Sequence, residues 1–215
     1  MASKKALHPY SLHPGVAMVE EWIGTLKDKT GRTLEEWFRE IRKNGPKGEA
    51  ERREWLKSAH KLGTNTAWWL AEKCDNPDKL AEDTPAGYMK IAPEYVDEQY
   101  AGKKAALRPV YEQLLRLGLS QGKDVKACPC KTIVPLYRNH VFAQIKPATN
   151  TRIDVGFALA KIPESKIAKS GGRLIATGGR EKKDRITHRI AVTAPDEIDD
   201  LVRSWMKRAY ELDGE

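Results

Sequence analysis

From Pro14 onward the apolar residues recur at the spacing that puts them on one face of a helix. Val16, Val19, Ile23 and Leu26 form the first such stripe, opened by a proline where a first turn accepts one and stopped at Lys29-Thr30-Gly31. Thr33 followed by Glu36 is a capping box, and Leu34, Trp37, Phe38 and Ile41 line the helix behind it until Asn44-Gly45-Pro46. Two more helices are predicted. One runs from about Gly48 to Leu62 with Trp55, Leu56 and Ala59 inward, the other from about Asn65 to Cys74 with Ala67, Trp68, Leu70 and Ala71 inward. Between Asn76 and Pro93 the periodicity lapses among Asp, Pro, Gly and Glu, which reads as a linker. Helical spacing then returns to about Gln121, with Leu107, Val110, Tyr111, Leu114, Leu115 and Leu117 as the stripe.

Beyond Gln121 the period drops to two. Val141, Ala143 and Ile145 alternate with His140, Phe142, Gln144 and Lys146. Ile153, Val155, Phe157 and Leu159 alternate with Arg152, Asp154 and Gly156, and Ile186, His188, Ile190 and Val192 with Thr187, Arg189 and Ala191. A strand near Thr132–Arg138 holds Pro135, which argues for an edge, and a short strand spans Arg173–Thr177 between Gly171-Gly172 and Gly178-Gly179 turns. Pro195 and Asp196 open a last helix with Ile198, Leu201, Val202, Trp205 and Ala209 inward. The pattern predicts an α+β protein: a small helical domain over 1–80, a linker at 81–93, and a helix, antiparallel meander, helix domain over 94–215.

Composition narrows the function classes. The chain carries 38 Lys and Arg against 30 Asp and Glu, a net charge of +8. The excess is local: residues 121–190 hold 15 basic and 5 acidic side chains, residues 91–120 balance at 4 and 4, and 191–215 are acidic, 3 against 7. A basic block of this kind favours an anionic partner, nucleic acid or another polyanion. No apolar run approaches the roughly 20 residues of a membrane span, and the start MASKKALHPYSLHPG has no apolar secretory segment, so a cytoplasmic location without a membrane partner is expected. Three cysteines, Cys74, Cys128 and Cys130, make no disulfide framework.

HPGVAMVEEWIGTLKDKTGRTLEEWF and LGTNTAWWLAE resemble a bacterial helical domain of unknown function. The stretch from YAGKKAALRPVYEQLL through FAQIKPATNTRIDVGFAL to THRIAVTAPDEIDDLVRSWMKRAY resembles the uncharacterised domain usually joined to it. The second domain also looks distantly like the YdhG-like proteins, some of which are described as frataxin-like iron chaperones. The resemblance carries no catalytic or binding residues across.

The residues that would contact a polyanion follow from the strand pattern. Alternation places Arg138, Lys146, Arg152 and Arg189 opposite the apolar face, with Phe142 among them to stack on a base. The loop Arg180, Lys182, Lys183 and Arg185 adds a basic hairpin. Their expected role is phosphate pairing rather than base readout. The bland reading of the same residues is a solvated or covered charged face. The glycines around 171–179 lack the spacing of a nucleotide fingerprint and read as turns, and no cofactor is expected. Residues 55–72 loosely have the form of a helix-turn-helix, but Trp68, Trp69 and Glu72 make a poor recognition helix. The cysteines read as buried or incidental thiols, and Cys128 would be reactive only if Lys126 and Lys131 lowered its pKa. His8, His13, His60, His140 and His188 pair with no carboxylate by spacing, and no catalytic residue is assigned. Two rival readings remain: an iron or small-ligand carrier using the acidic turn Asp196, Glu197, Asp199 and Asp200, and a protein-interaction adaptor built on the tryptophan-rich helices.

Overall fold

The computed structural model describes residues 9–167 and 172–215, so His8 and Gly171 lie outside the described residues. The chain divides into two compact units, one of residues 12–90 and one of 91–215 together with the chain start through Ser11.

The first unit is helical. Helices α1 (Pro14–Thr30), α2 (Leu34–Asn44), α3 (Glu49–Ser58) and α4 (Thr64–Lys73) form where the apolar stripes predict them, except that α3 stops at Ser58 rather than near Leu62 and leaves Ala59, expected inward, exposed. Their ends carry the local chemistry that stops them. His13 caps α1 by accepting the Gly15 N–H on Nδ1 at 2.9 Å, and Gly31 ends it at φ +79°, a conformation that favours glycine. The capping box of α2 is formed in both directions, Thr33 N–H to Glu36 at 2.7 Å and Glu36 N–H to the Thr33 hydroxyl at 3.3 Å. Leu26, Trp37, Phe38, Ile41, Leu56 and Leu70 make the core of this unit. The buried Trp37 indole N–H donates to Thr30 Oγ1 at 2.8 Å, so the largest core side chain leaves no donor unsatisfied. Trp68, expected inward, is 48% exposed, because the neighbouring α4 positions Ala67, Leu70 and Ala71 already fill the face that meets α3.

The segment expected to be a linker is helical. Helix α5 (Pro77–Glu82) is followed by α6 (Pro85–Gln99), which contains Pro93, and the boundary between the units falls inside α6. Tyr88, Ala92, Tyr95 and Val96 supply an apolar spacing hidden by the prolines and acids around it. The helix predicted through to Gln121 is likewise broken: α6 ends at Gln99, a 3-10 turn covers Gly102–Leu107, and α7 spans Arg108–Leu119.

The second unit is one antiparallel sheet with helices. Its strands are β1 (Lys126–Ala127), β2 (Val134–Tyr137), β3 (Val141–Pro147), β4 (Ile153–Phe157), β5 (Leu174–Ala176) and β6 (His188–Val192), in the order β1-β2-β3-β4-β6-β5. The short α8 (Glu164–Ile167) precedes β5, and α9 (Asp200–Gly214), N-capped by Asp199, closes the chain. Val134, Leu136, Ile145, Val155, Phe157 and Ile190 point into a core completed by α7 and α9. Tyr10 pairs in parallel with Ala127 at the outer side of β1, and its hydroxyl lies 3.1 Å from that of Tyr111, which ties the chain start to this unit.

Two expectations about strand placement are corrected. Pro135 is not on an edge strand, since β2 lies between β1 and β3. Its carbonyl accepts the Cys128 N–H at 3.1 Å, so its missing donor faces the two-residue β1, where little pairing is lost. Phe142 does not stand on the polar face. The register between β2 and β3 shifts at Tyr137, where Leu136 pairs with Ala143 but Tyr137 with Val141, and this bulge re-aims Phe142 into the core. There it is fully buried and meets Tyr210 edge-on at 5.6 Å.

Removing buried aromatic or aliphatic bulk from either core leaves a cavity. Phe157→Ala is expected to cost the second unit about 3–5 kcal/mol, and Leu56→Ala the first unit about 2–5 kcal/mol. Urea unfolding followed by tryptophan fluorescence and circular dichroism measures both.

Candidate functional site

The strand register brings most of the expected sheet cations together. Lys146 pairs with Asp154, Gly156 with Arg189, and Arg152 lies two residues before Asp154, so Lys146, Arg152 and Arg189 share the face turned away from α7 and α9. Asp154 sits among them. Its carboxylate meets Arg152 at 2.9 Å and Arg189 at 3.1 Å, and these two guanidinium groups are partly neutralised within the sheet. Arg138 is held apart from them, 2.9 Å from Asp124 and over the Tyr210 ring at 4.3 Å. The Tyr210 hydroxyl and the Arg138 guanidinium hold the Asp124 carboxyl below its usual range.

The same pairing recurs throughout the basic block. Arg180 meets Glu164 at 2.6 Å and donates to the carbonyls of Leu159 and Ala160 at 2.8 and 2.9 Å. Arg173 pairs with Asp199, and Arg185 pairs with Asp213 while donating to the Val141 carbonyl at 3.0 Å. All six arginines of residues 121–190 therefore meet carboxylates of the fold, two of them from the acidic C-terminal stretch. The lysines behave differently. Lys123, Lys126, Lys146, Lys166, Lys182 and Lys183 are exposed and meet no carboxylate among the described residues. A planar guanidinium suits bidentate contact with carboxylates and carbonyls, whereas a strongly hydrated ammonium stays in water.

Two clefts in the second unit gather these cations. The first, of about 420 Å³, is lined by Lys161, Arg180, Lys183, Asp184, Arg185 and Asp213, among others. It contains three of the expected hairpin residues, and Lys182 is their exposed chain neighbour. Lys183 takes φ +57° in the turn, its N–H donating to the Arg180 carbonyl at 3.2 Å, while Lys161 donates to the Leu212 carbonyl at 2.7 Å. Asp213, whose side chain is only 2% exposed, accepts the backbone N–H groups of Asn139 and His140 at 2.9 and 2.8 Å and pairs with Arg185 and the His140 ring. The second cleft, of about 620 Å³, is lined by Gln99, Lys103, Lys104, Lys131 and Lys146, with Glu98 as its one carboxylate. Charge counting along the chain hid it, because Lys103 and Lys104 belong to a neutral stretch and only the fold carries them to Lys131 and Lys146.

Histidine contacts were also hidden by sequence separation. His140 Nδ1 lies 3.2 Å from Asp213, and His188 Nε2 lies 3.4 Å from Glu164, while His188 Nδ1 is 2.9 Å from the Thr187 hydroxyl. That hydroxyl also accepts the Leu159 N–H at 3.2 Å, and both Thr187 and His188 are buried, so this chain of bonds fastens β6 to its neighbouring loop. Cys128 is buried, and the condition for its being reactive is not met. Burial pushes the Cys128 thiol up to about 12 and raises Cys130 as well, outweighing the opposite pull of Lys126 on Cys128. The hairpin of α3 and α4 offers no basic recognition face, since Lys73, the one cation of α4, is buried 2.9 Å from Asp83 and donates to the Lys79 carbonyl. In the acidic turn, Asp199 caps α9 and pairs with Arg173, and Glu197 accepts the Thr193 N–H at 2.6 Å, which lowers its pKa. Among the described residues no group of three or more His, Cys, Asp or Glu side chains is arranged to hold a metal. No helix there is long and apolar enough to cross a membrane.

Fold and clefts together define a two-domain protein, helical first and α+β second, whose second domain bears lysine-lined clefts. Residues 96–213 match the family described as Domain of unknown function (DUF5655), and residues 19–76 match Domain of unknown function (DUF4287). The first match spans more than half of the chain, and the chain belongs to the DUF5655 family. No curated protein and no solved structure is significantly similar to it.

Two measurements test this chemistry. Asp213→Ala leaves two backbone N–H groups and the Arg185 guanidinium without their acceptor, and is expected to cost about 1–3 kcal/mol in urea unfolding. Burial raises the pKa of Cys128 and also of Tyr137, each to about 12. The folded state therefore holds protons that the unfolded chain releases, so stability is full below about pH 9 and falls as the pH rises toward 12. Unfolding midpoints between pH 8 and 11 check that sign, and Cys128 is expected to resist a thiol reagent at pH 8 until the protein is unfolded.

Proposed function

We propose that this chain is a non-enzymatic cytoplasmic binding protein whose second domain holds a polyanion, a nucleic-acid backbone above all, through lysines. The observation that carries this reading is the division of labour in the basic block: arginines are spent on carboxylates of the fold, while exposed Lys146, Lys182 and Lys183 keep their charge for solvent. Three free thiols suit a reducing compartment. Arg138, Arg152, Arg180, Arg185 and Arg189 then serve to set the shape of the surface, and Phe142 has no part in stacking. Contact with phosphates through lysines gives affinity with little base readout.

The carrier reading draws less support, because Asp199 and Glu197 are engaged in capping and in backbone contacts. The adaptor reading keeps one specific observation, the exposed Met18 and Trp68 on the helical domain.

Binding of single-stranded DNA and RNA over a salt series tests the proposal. Affinity is expected to fall with salt, and Lys182→Ala with Lys183→Ala to weaken binding and flatten the log–log slope by about 0.7 per lysine that contacts a phosphate. Absence of binding at low salt, or a slope indifferent to both lysines, would overturn it.

A further inference from the structure

The sheet of the second unit has two edges, and the chain treats them differently. At β1 the outer side is taken by the chain start: Tyr10 pairs in parallel with Ala127, and the Ser11 N–H donates to the Ala127 carbonyl at 2.9 Å. At the other edge stands β5, which among the described residues pairs with β6 alone. The unpaired side of an edge strand presents backbone donors and acceptors on which another strand can form.

The direction of those groups follows from the register. Leu174, Ile175 and Ala176 lie opposite Ile190, Arg189 and His188, and one step further the Thr177 N–H donates to the Thr187 carbonyl at 2.9 Å. Backbone groups along an antiparallel strand alternate in direction, so Ile175 and Thr177 turn theirs to β6. Leu174 and Ala176 turn theirs, two N–H and two C=O, to the open side, where no other described residue bonds to them. The side chains also fit an unfinished edge. Ile175 is 44% exposed on the outward face it shares with Arg189, and Ala176 is exposed beside it. Charge does not guard this edge, because Arg173 pairs with Asp199 and reaches the carbonyls of Ala191 and Glu197 instead.

We propose that β5 pairs antiparallel with β5 of a second copy of this chain, about a two-fold axis at Ile175, joining the two sheets into one. The pattern is self-complementary. With Ile175 opposite its own counterpart, Leu174 of each copy faces Ala176 of the other, and their outward groups form four hydrogen bonds with none left over. The two Ile175 residues become a non-hydrogen-bonded pair, with Cα atoms about 4.5 Å apart and side chains in contact on the outward face. Arg173 of one copy falls opposite Thr177 of the other, so no like charges meet there. A second copy thus supplies both things the edge lacks, backbone partners in matching positions and an apolar side chain over Ile175. Three residues a side make a small interface, so the pairing is weak and concentration-dependent.

Sedimentation velocity of the full chain, from micromolar to millimolar protein and with no nucleic acid present, tests this. A monomer–dimer equilibrium is expected. Ile175→Lys, at an exposed position, sets two like charges opposite one another and should raise the dissociation constant about tenfold or more, with circular dichroism confirming that the variant folds. Cross-linking under a mild copper oxidant reads the register. Ile175→Cys is expected to give a disulfide-linked dimer. Thr177→Cys is not, because the two copies of that position lie further apart than the roughly 7 Å between Cα atoms that a disulfide can bridge. The unsubstituted chain, whose Cys74 and Cys128 are buried, is the control. A monomer at every concentration, a dimer indifferent to Ile175→Lys, or cross-linking at position 177 as readily as at 175 overturns the pairing. With nucleic acid absent throughout, failure here and failure of the polyanion reading remain distinguishable.

Discussion

Asp213 is a carboxylate buried near the end of the last helix, and a charge in that position persists only if the chain surrounds it with donors. It is surrounded by the backbone N–H groups of Asn139 and His140 from the turn between β2 and β3, the His140 ring, and Arg185 from the segment before β6. One side chain thereby fastens a turn, a loop and a helix that are distant in sequence. The bulge that drives Phe142 inward against Tyr210 lies beside the same turn, so packing and hydrogen bonding hold α9 at one place on the sheet.

The other arginines extend the same logic. Asp154 draws Arg152 and Arg189 together, Glu164 holds Arg180, and Asp199 holds Arg173. A stretch that looks like a nucleic-acid surface when charges are counted is in large part a scaffold of guanidinium forks. Exposed pairs of this kind contribute little individually, but several also donate to backbone carbonyls, which orients loops that would otherwise end in unsatisfied groups. The charge left exposed lies on lysines.

The exposed lysines fall in two places. Lys182 and Lys183 stand exposed at a turn, whereas Lys103 and Lys146 border a concave cleft. The helical domain contributes a well-capped bundle and the exposed Trp68, with its only α4 cation buried.

Local chemistry is legible in the chain itself. The helical stripes, the Thr33–Glu36 capping box, the Gly31 stop and the period-two strands all depend on neighbours within a few residues, so periodicity and caps are enough to place them. The α+β class and the common face of Lys146, Arg152 and Arg189 follow from the same alternation. Only the tertiary structure decided the rest. Helix α6 forms through Pro93 around buried Tyr88, Ala92 and Val96, a register shift turns Phe142 inward, and burial overrides the lysines beside Cys128. Which cations remain free depends on carboxylates far away along the chain, such as Asp213 for Arg185. Short-range order is encoded by spacing, but charge pairing and burial are properties of neighbours in space, and those exist only once the chain has folded.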